Sequence, residues 1–228
     1  MQLETKPPPV RAAFDLEQLD IPPGNTVQLR NISWEMFENI LEALGEGYPV
    51  RLAYDNGILE FKMPLPKHER GKEIIGDLVK ALLEELDVEF LSLGSTTFKN
   101  KNMARGIEPD QSFYIENEAV MRERTDIDLS QDPPPDLAIE IDNTSDSRTR
   151  FNNYQALGVP ELWRYDGKML QINVLQKGKY VESSVSPTFP KLPTIAQTIV
   201  RHVLQSKTAG RTAAKKAFIA WVREQLWR

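Results

Sequence analysis

Apolar residues recur every three to four positions at Met36, Phe37, Ile40, Leu41 and Leu44, which places them on one side of a helix. Ser33 stands where its N-cap belongs, and Gly45 where the helix should end. The period then drops to two. Residues 49–64, PVRLAYDNGILEFKMP, alternate on either side of Asp55-Asn56-Gly57, and Asn-Gly between alternating runs predicts a hairpin. From Lys67 to Glu85 the helical period returns at Ile74, Ile75, Leu78, Val79, Leu82 and Leu83. Glu69 and Glu73 lie one turn apart on that long amphipathic helix.

Further along, Glu89–Leu93 and Thr96–Phe98 read as strand, and Lys99–Arg105 as a basic loop. Ile107–Ile115 reads as a strand entered through Pro109-Asp110, and Glu116–Asp132 as turn-rich chain with a short helix around Ala119–Arg122. Leu137–Ile141 is a short strand behind three prolines, and Thr149–Leu157 a helix that stops at Gly158. Strands follow over Glu161–Tyr165, Leu170–Leu175 and Tyr180–Ser184, then helices over Thr194–Gln205 and Thr212–Trp227. The pattern predicts one α/β or α+β domain around a mixed β-sheet flanked by α-helices. Residues 1–24, with five of the 16 prolines, are expected to be an extended arm. Residues 25–190 form the domain and residues 191–228 a C-terminal helical extension.

The strand Leu137–Ile141 contains a conflict. Leu137, Ile139 and Ile141 share one face, while Asp136, Ala138, Glu140 and Asp142 share the other. A carboxylate beside a buried strand is costly unless something pairs with it. One answer is a divalent ion held by Glu140 and by Asp110, which opens the neighbouring strand; Mg²⁺ needs only one or two carboxylates. The other is a salt bridge to Arg105, Arg148 or Arg150. His68 reads as an exposed or capping residue, Trp163 and Tyr165 as core, and the loop KNKNMAR as solvated.

Composition narrows the classes. The 228 residues carry a net charge of -5 and no cysteine, which argues against a nucleic-acid-coating protein and removes thiolate metal sites. No run of 18 apolar residues occurs, so the expectation is a cytoplasmic protein without membrane contact.

The order GILEFKMP, the helix after KHERGKE, GIEPDQSFYI, PPPDLAIEIDNTS and YQALGVPELWRYDGK resembles the Uma family of restriction-endonuclease-like proteins, within the PD-(D/E)XK nuclease superfamily. The similarity runs from about Pro49 to Tyr180. It implies a restriction-endonuclease-like fold and metal-dependent phosphodiester hydrolysis with Mg²⁺ or Mn²⁺, DNA as the partner, and a homodimer for cutting two strands. On the matching motifs, Asp110 and Glu140 become the catalytic and metal-binding acids, and Glu73 a helix glutamate beside them, with Glu69 behind it. The chain departs from the pattern at the lysine. Asp142 stands where the superfamily has Lys, and Arg150 stands four residues before Tyr154, where many relatives have Lys. Arginine stays protonated and cannot act as a base. Either Lys168 fills the lysine role, or Asp142 is an extra ligand, or activity is impaired. The alternative is therefore a catalytically silent nuclease-fold protein that binds DNA or a protein partner. An amine within reach of the acids separates the two. Loss of either acid is expected to leave the fold intact by relieving repulsion.

Overall fold

Residues 19–45, 47–141 and 148–226 are described in the computed structural model of the chain. Strand β1 (Thr26–Arg30) leads into helix α1 (Trp34–Leu44), where the Ser33 hydroxyl accepts the Met36 N–H at 3.1 Å and Gly45 closes the helix at φ 66°. The expected hairpin is β2 (Arg51–Asp55) and β3 (Ile58–Lys62), turned by Asn56 and Gly57 at φ 45° and 90°. After helix α2 (Pro66–Glu85) come β4 (Leu91–Ser92), β5 (Phe98–Asn100), β6 (Arg105–Ile107) and β7 (Gln111–Tyr114). The short helix α3 (Glu118–Met121) precedes β8 (Leu137–Ile141), α4 (Arg148–Leu157), β9 (Glu161–Tyr165), β10 (Leu170–Gln176) and β11 (Lys179–Ser183). Helices α5 (Ile195–Ala209) and α6 (Arg211–Leu226) end the fold.

There are two sheets. The first is antiparallel in the order β1-β3-β2-β6-β5; the second runs β11-β10-β9-β8-β7-β4 and is mixed, with β8 and β9 parallel. The single strand expected over 107–115 is cut in two, because Pro109 has no N–H to give a ladder. β6 joins the first sheet and β7 the second, with Glu108-Pro109-Asp110 crossing between them.

Three apolar clusters hold the layers. Helices α2, α5 and α6 bury Ile75, Leu78, Ile199 and Phe218 against Phe113, Ile139 and Trp163 of the second sheet. The two terminal helices thus complete this core, and Arg223 of α6 reaches Glu85 of α2 at 2.6 and 2.8 Å. Tyr154 and Leu157 of α4 pack on the other face with Ala138 and Leu162, and with Ala53 and Ile107 of the first sheet. Helix α4 is therefore lodged between the sheets. Under α1, Phe37 stacks on Tyr54 with ring centroids 4.7 Å apart. Gly106 permits that approach: a Cβ there would stand 2.8 Å from the Phe37 ring.

Trp163 and Tyr165 are core, as their alternation predicts. His68 is buried rather than exposed, and its Nδ1 receives the Leu65 N–H at the start of α2, at 3.4 Å. The basic loop is largely neutralised: Lys99 meets Glu38 at 2.9 Å and Arg105 meets Asp55 at 2.7 Å. Among the described residues no helix is long and apolar enough to cross a membrane.

Candidate active site

On β7 and β8 the residues Phe113, Leu137, Ile139 and Ile141 enter the core under α2. Alternation then turns Glu140, and Asp110 at the mouth of β7, towards α4. The antiparallel register pairs Gln111 with Ile139, and the Asp110 N–H donates to Ile139 O at 3.1 Å. Both acids are buried, Asp110 at 3% exposure and Glu140 at 5%. Asp110 Oδ2 accepts the Ile141 N–H at 2.7 Å, so the residue after Glu140 anchors its partner.

Glu140 is paired. Arg150 of α4 donates from Nη2 to Oε1 at 2.6 Å and from Nε to both oxygens at 3.2 and 3.3 Å, and the Tyr154 hydroxyl donates to Oε1. The same guanidinium reaches Leu52 O at 3.3 Å and the carbonyl of Glu108, tying α4 to both sheets. Burial would raise the Glu140 carboxyl, but the charges of Arg150 and Lys62 outweigh it and hold it below its usual range. Burial and the nearby Glu140 charge push Asp110 the other way, up. Burial likewise raises the Tyr154 hydroxyl, with Glu140 adding to it, so it stays a donor at neutral pH.

The amine comes from an unexpected strand. Lys62, at the end of β3 in the first sheet and only 7% exposed, donates from Nζ to Ile141 O at 3.2 Å and stands 3.6 Å from Glu140 Oε2. The sequence did carry a signal. Leu59 and Phe61 enter the core under α1, so Glu60 and Lys62 must share the opposite face. A charged residue alternating with core residues is the same conflict that singled out Glu140. Glu60 is also buried and accepts from Gln28 Nε2 at 3.1 Å. Arg51 of β2, the cross-strand partner of Lys62, adds a third cation; its Nε lies 4.0 Å from Asp110 Oδ1.

Two expected site residues stand elsewhere. Glu73 is exposed and its charge faces Arg211 of α6, because α2 turns that side away from the face on which Asp110 lies. The helix glutamate that comes nearest is Glu69, 3.6 Å from Arg51 Nη2. Lys168 is exposed in the β9–β10 turn, where its N–H donates to Asp166 Oδ1 at 2.8 Å; among the described residues, the lysine that meets Glu140 is Lys62. Lys168 instead lines a cavity of about 650 Å³ with Arg164, Asp166, Glu182 and Gln197. Neither Asp110 nor Glu140 opens into that cavity, and the buried paired charges mark the chemistry better than its size does. Asp142 lies outside the described residues.

Among the described residues no three His, Asp or Glu side chains gather as a metal-binding group; the oxygen donors are Asp110 and Glu140. Each carboxylate has one oxygen tightly anchored, Oδ2 of Asp110 by Ile141 and Oε1 of Glu140 by Arg150 and Tyr154. Among the described residues the other oxygen of each meets only longer contacts, at 4.0 Å for Asp110 Oδ1 and at 3.3 and 3.6 Å for Glu140 Oε2. Two carboxylates with one loosely held oxygen apiece fit a hard divalent cation that keeps several waters.

Comparison with known proteins bears on the fold and the family. The chain is similar to the crystal structure, at 1.96 Å, of a putative nuclease belonging to DUF820 from Anabaena variabilis ATCC 29413. The TM-score is 0.53 at 17% identity, over 72% of this chain and 96% of that one, a likeness of fold. No curated protein matches the chain. Residues 34–203 match the family Uma2, described as "Putative restriction endonuclease". That span takes in every strand of the two sheets after β1, with the acid pair, Lys62 and Arg150, and the chain belongs to the Uma2 family.

Proposed function

We propose that the protein hydrolyses nucleic-acid phosphodiester bonds with the help of Mg²⁺ or Mn²⁺, and that its substrate is DNA. The observation that carries this reading is the buried amine of Lys62, 3.6 Å from Glu140 and on the same side as Asp110. Asp110 and Glu140 would hold the ion through their loosely contacted oxygens. When bound, a divalent ion neutralises phosphate charge and lowers the pKa of its water, giving a nucleophile at neutral pH. Lys62 would add a fixed positive charge where the phosphorus oxygens become more negative in the transition state. Arg150, Tyr154 and the Ile141 N–H act on the acids rather than on substrate, fixing the oxygens that do not face the ion. The family description favours DNA, and a symmetric dimer would supply the second site that a double-strand cut requires.

A second reading rests on the pairing of Glu140. Arg150 touches both of its oxygens, so an ion at Oε2 must displace part of an existing buried ion pair. A protein in which that exchange fails would bind nucleic acid without cutting it.

Nicking of supercoiled plasmid at low salt, with Mg²⁺ or Mn²⁺, separates the two. Nicking by the wild type that disappears in Lys62→Ala and Glu140→Gln supports the nuclease. Equal background in all three proteins under both metals, with retention of the plasmid in a gel-shift assay, supports the silent binder.

A further inference from the structure

Arg150, fully buried, and Arg51, largely buried, stand by the same acid pair and are treated in opposite ways. Arg150 spends its guanidinium on three contacts with Glu140 and two backbone carbonyls. That is what a structural arginine looks like in this fold. Arg51, whose side chain is only 11% exposed, makes one hydrogen bond among the described residues, from Nη1 to Val50 O at 3.2 Å. Its Nε is buried with no acceptor among the described residues. The nearest carboxylates stand off at 3.6 Å (Glu69 Oε1 from Nη2) and 4.0 Å (Asp110 Oδ1 from Nε), beyond hydrogen-bond distance. A guanidinium carries five donors in a rigid fork, and leaving a buried one unmatched is unfavourable.

We propose that Arg51 is a substrate-phosphate ligand, its Nε and Nη2 forking onto two non-bridging oxygens of the phosphodiester beside Asp110. Planar two-point recognition of phosphate is what this edge of arginine does best. Its position is consistent with that use. Asp110 Oδ1, the oxygen that the nuclease reading gives to the metal, is the atom 4.0 Å from Nε, so one phosphate could meet both. The Arg51 fork borders the surface at Glu69, whose side chain is 42% exposed. Around it the first turns of α2 bring Lys67, Arg70 and Lys72; Lys72 sits 3.4 Å from Glu69 and offsets the carboxylate that a phosphate would otherwise meet. Beside Arg51, its cross-strand partner Lys62 completes a cationic pair on neighbouring strands.

This inference rests on the nuclease reading, but its test does not require turnover. Binding of inorganic phosphate, and of a short 5′-phosphorylated oligodeoxynucleotide in Ca²⁺, is measured by ³¹P line broadening and fluorescence anisotropy for wild type, Arg51→Ala and Arg51→Lys. Arg51→Ala should weaken both by about tenfold or more and lower the salt dependence of oligonucleotide binding by about one charge. Arg51→Lys, with the charge but not the fork, should fall between. Where the wild type also nicks plasmid, Arg51→Ala should raise KM as well as lower kcat, whereas Arg51→Lys should restore part of the KM. If phosphate binds wild type and Arg51→Lys equally well, or Arg51→Ala with unchanged affinity at a melting temperature within about 2 °C of wild type, the assignment falls. Phosphate binding lost in Arg51→Ala, in a protein that never nicks, would leave the subsite standing and overturn the nuclease reading alone.

Discussion

Lys62 Nζ stands 3.6 Å from Glu140 Oε2, although the two residues belong to different sheets and are joined by no ladder. The ammonium also holds Ile141 O at 3.2 Å, so it bridges the end of β3 to the end of β8. Replacing Lys62 with alanine should remove about 100-fold or more of any nicking rate, in line with the loss of a preorganised charge at a phosphoryl centre. Glu140 keeps Arg150 in that variant, so folding should survive. Single-turnover nicking together with a melting curve reads both effects.

Glu140 is the ion-pair partner of the buried Arg150, and this reverses the effect expected of removing it. Taking the carboxylate away removes the counter-ion that two buried cations, Arg150 and Lys62, meet at 2.6 and 3.6 Å. Glu140→Ala should cost about 3–5 kcal/mol of stability, where relief of acid–acid repulsion alone would have stabilised the protein. Glu140→Gln combined with Arg150→Met should recover part of that loss, because the stranded charge on α4 leaves with its partner. Urea denaturation of the two single variants and the double variant measures the coupling.

The acid pair also sets opposite pH dependences. Asp110 has its pKa raised above its usual 3.8 in the folded protein, so its contribution is fullest below 3.8 and is lost as pH rises through the folded value. Glu140 has its pKa lowered from 4.5, so its contribution is present above 4.5 and is lost as pH falls through the folded value. Asp110→Asn should therefore be more stable than wild type at pH 7 without metal, and the gap should close on acidification. Added Mg²⁺ should stabilise wild type but not the variant. Melting temperatures from pH 3 to 8, with and without the ion, test both statements.

Away from the chemistry, Gly106→Ala would set a Cβ 2.8 Å from the Phe37 ring. The ring is fully buried and stacked on Tyr54, so it cannot swing aside. A loss of about 1–3 kcal/mol is expected, with nicking by the surviving folded protein unchanged, because the strain falls on the α1 side of the first sheet.

The elements were largely legible because their signals are local. The Ser33 cap, the Asn56-Gly57 turn and the apolar stripe of α2 each depend on residues within a few positions of one another. Family resemblance carried the rest of the architecture. The division into two sheets was harder to see, since Pro109 could equally have opened one strand or, as it does, separated two. At the site, alternation in Leu137–Ile141 placed Glu140, and the Pro-Asp pair pointed to Asp110. Lys62 and Arg51 were missed because their meeting with the acids depends on how one sheet docks on the other, a contact 79 residues apart in the case of Lys62 and Ile141. Lys168 and Glu73 were plausible by spacing alone; helix rotation and turn geometry carried them elsewhere.

The bridging lysine also bears on descent. When acid and amine share one strand, their spacing is frozen: any insertion between them flips one to the wrong face. Here the amine reaches Glu140 from β3, so the two positions are inherited separately and either can wander in sequence without misaligning the other. A positive charge then stands beside Glu140 whichever residues follow it on its own strand. In a relative with no amine beside the acid on its own strand, the hairpin before the first long helix is the place to look for one.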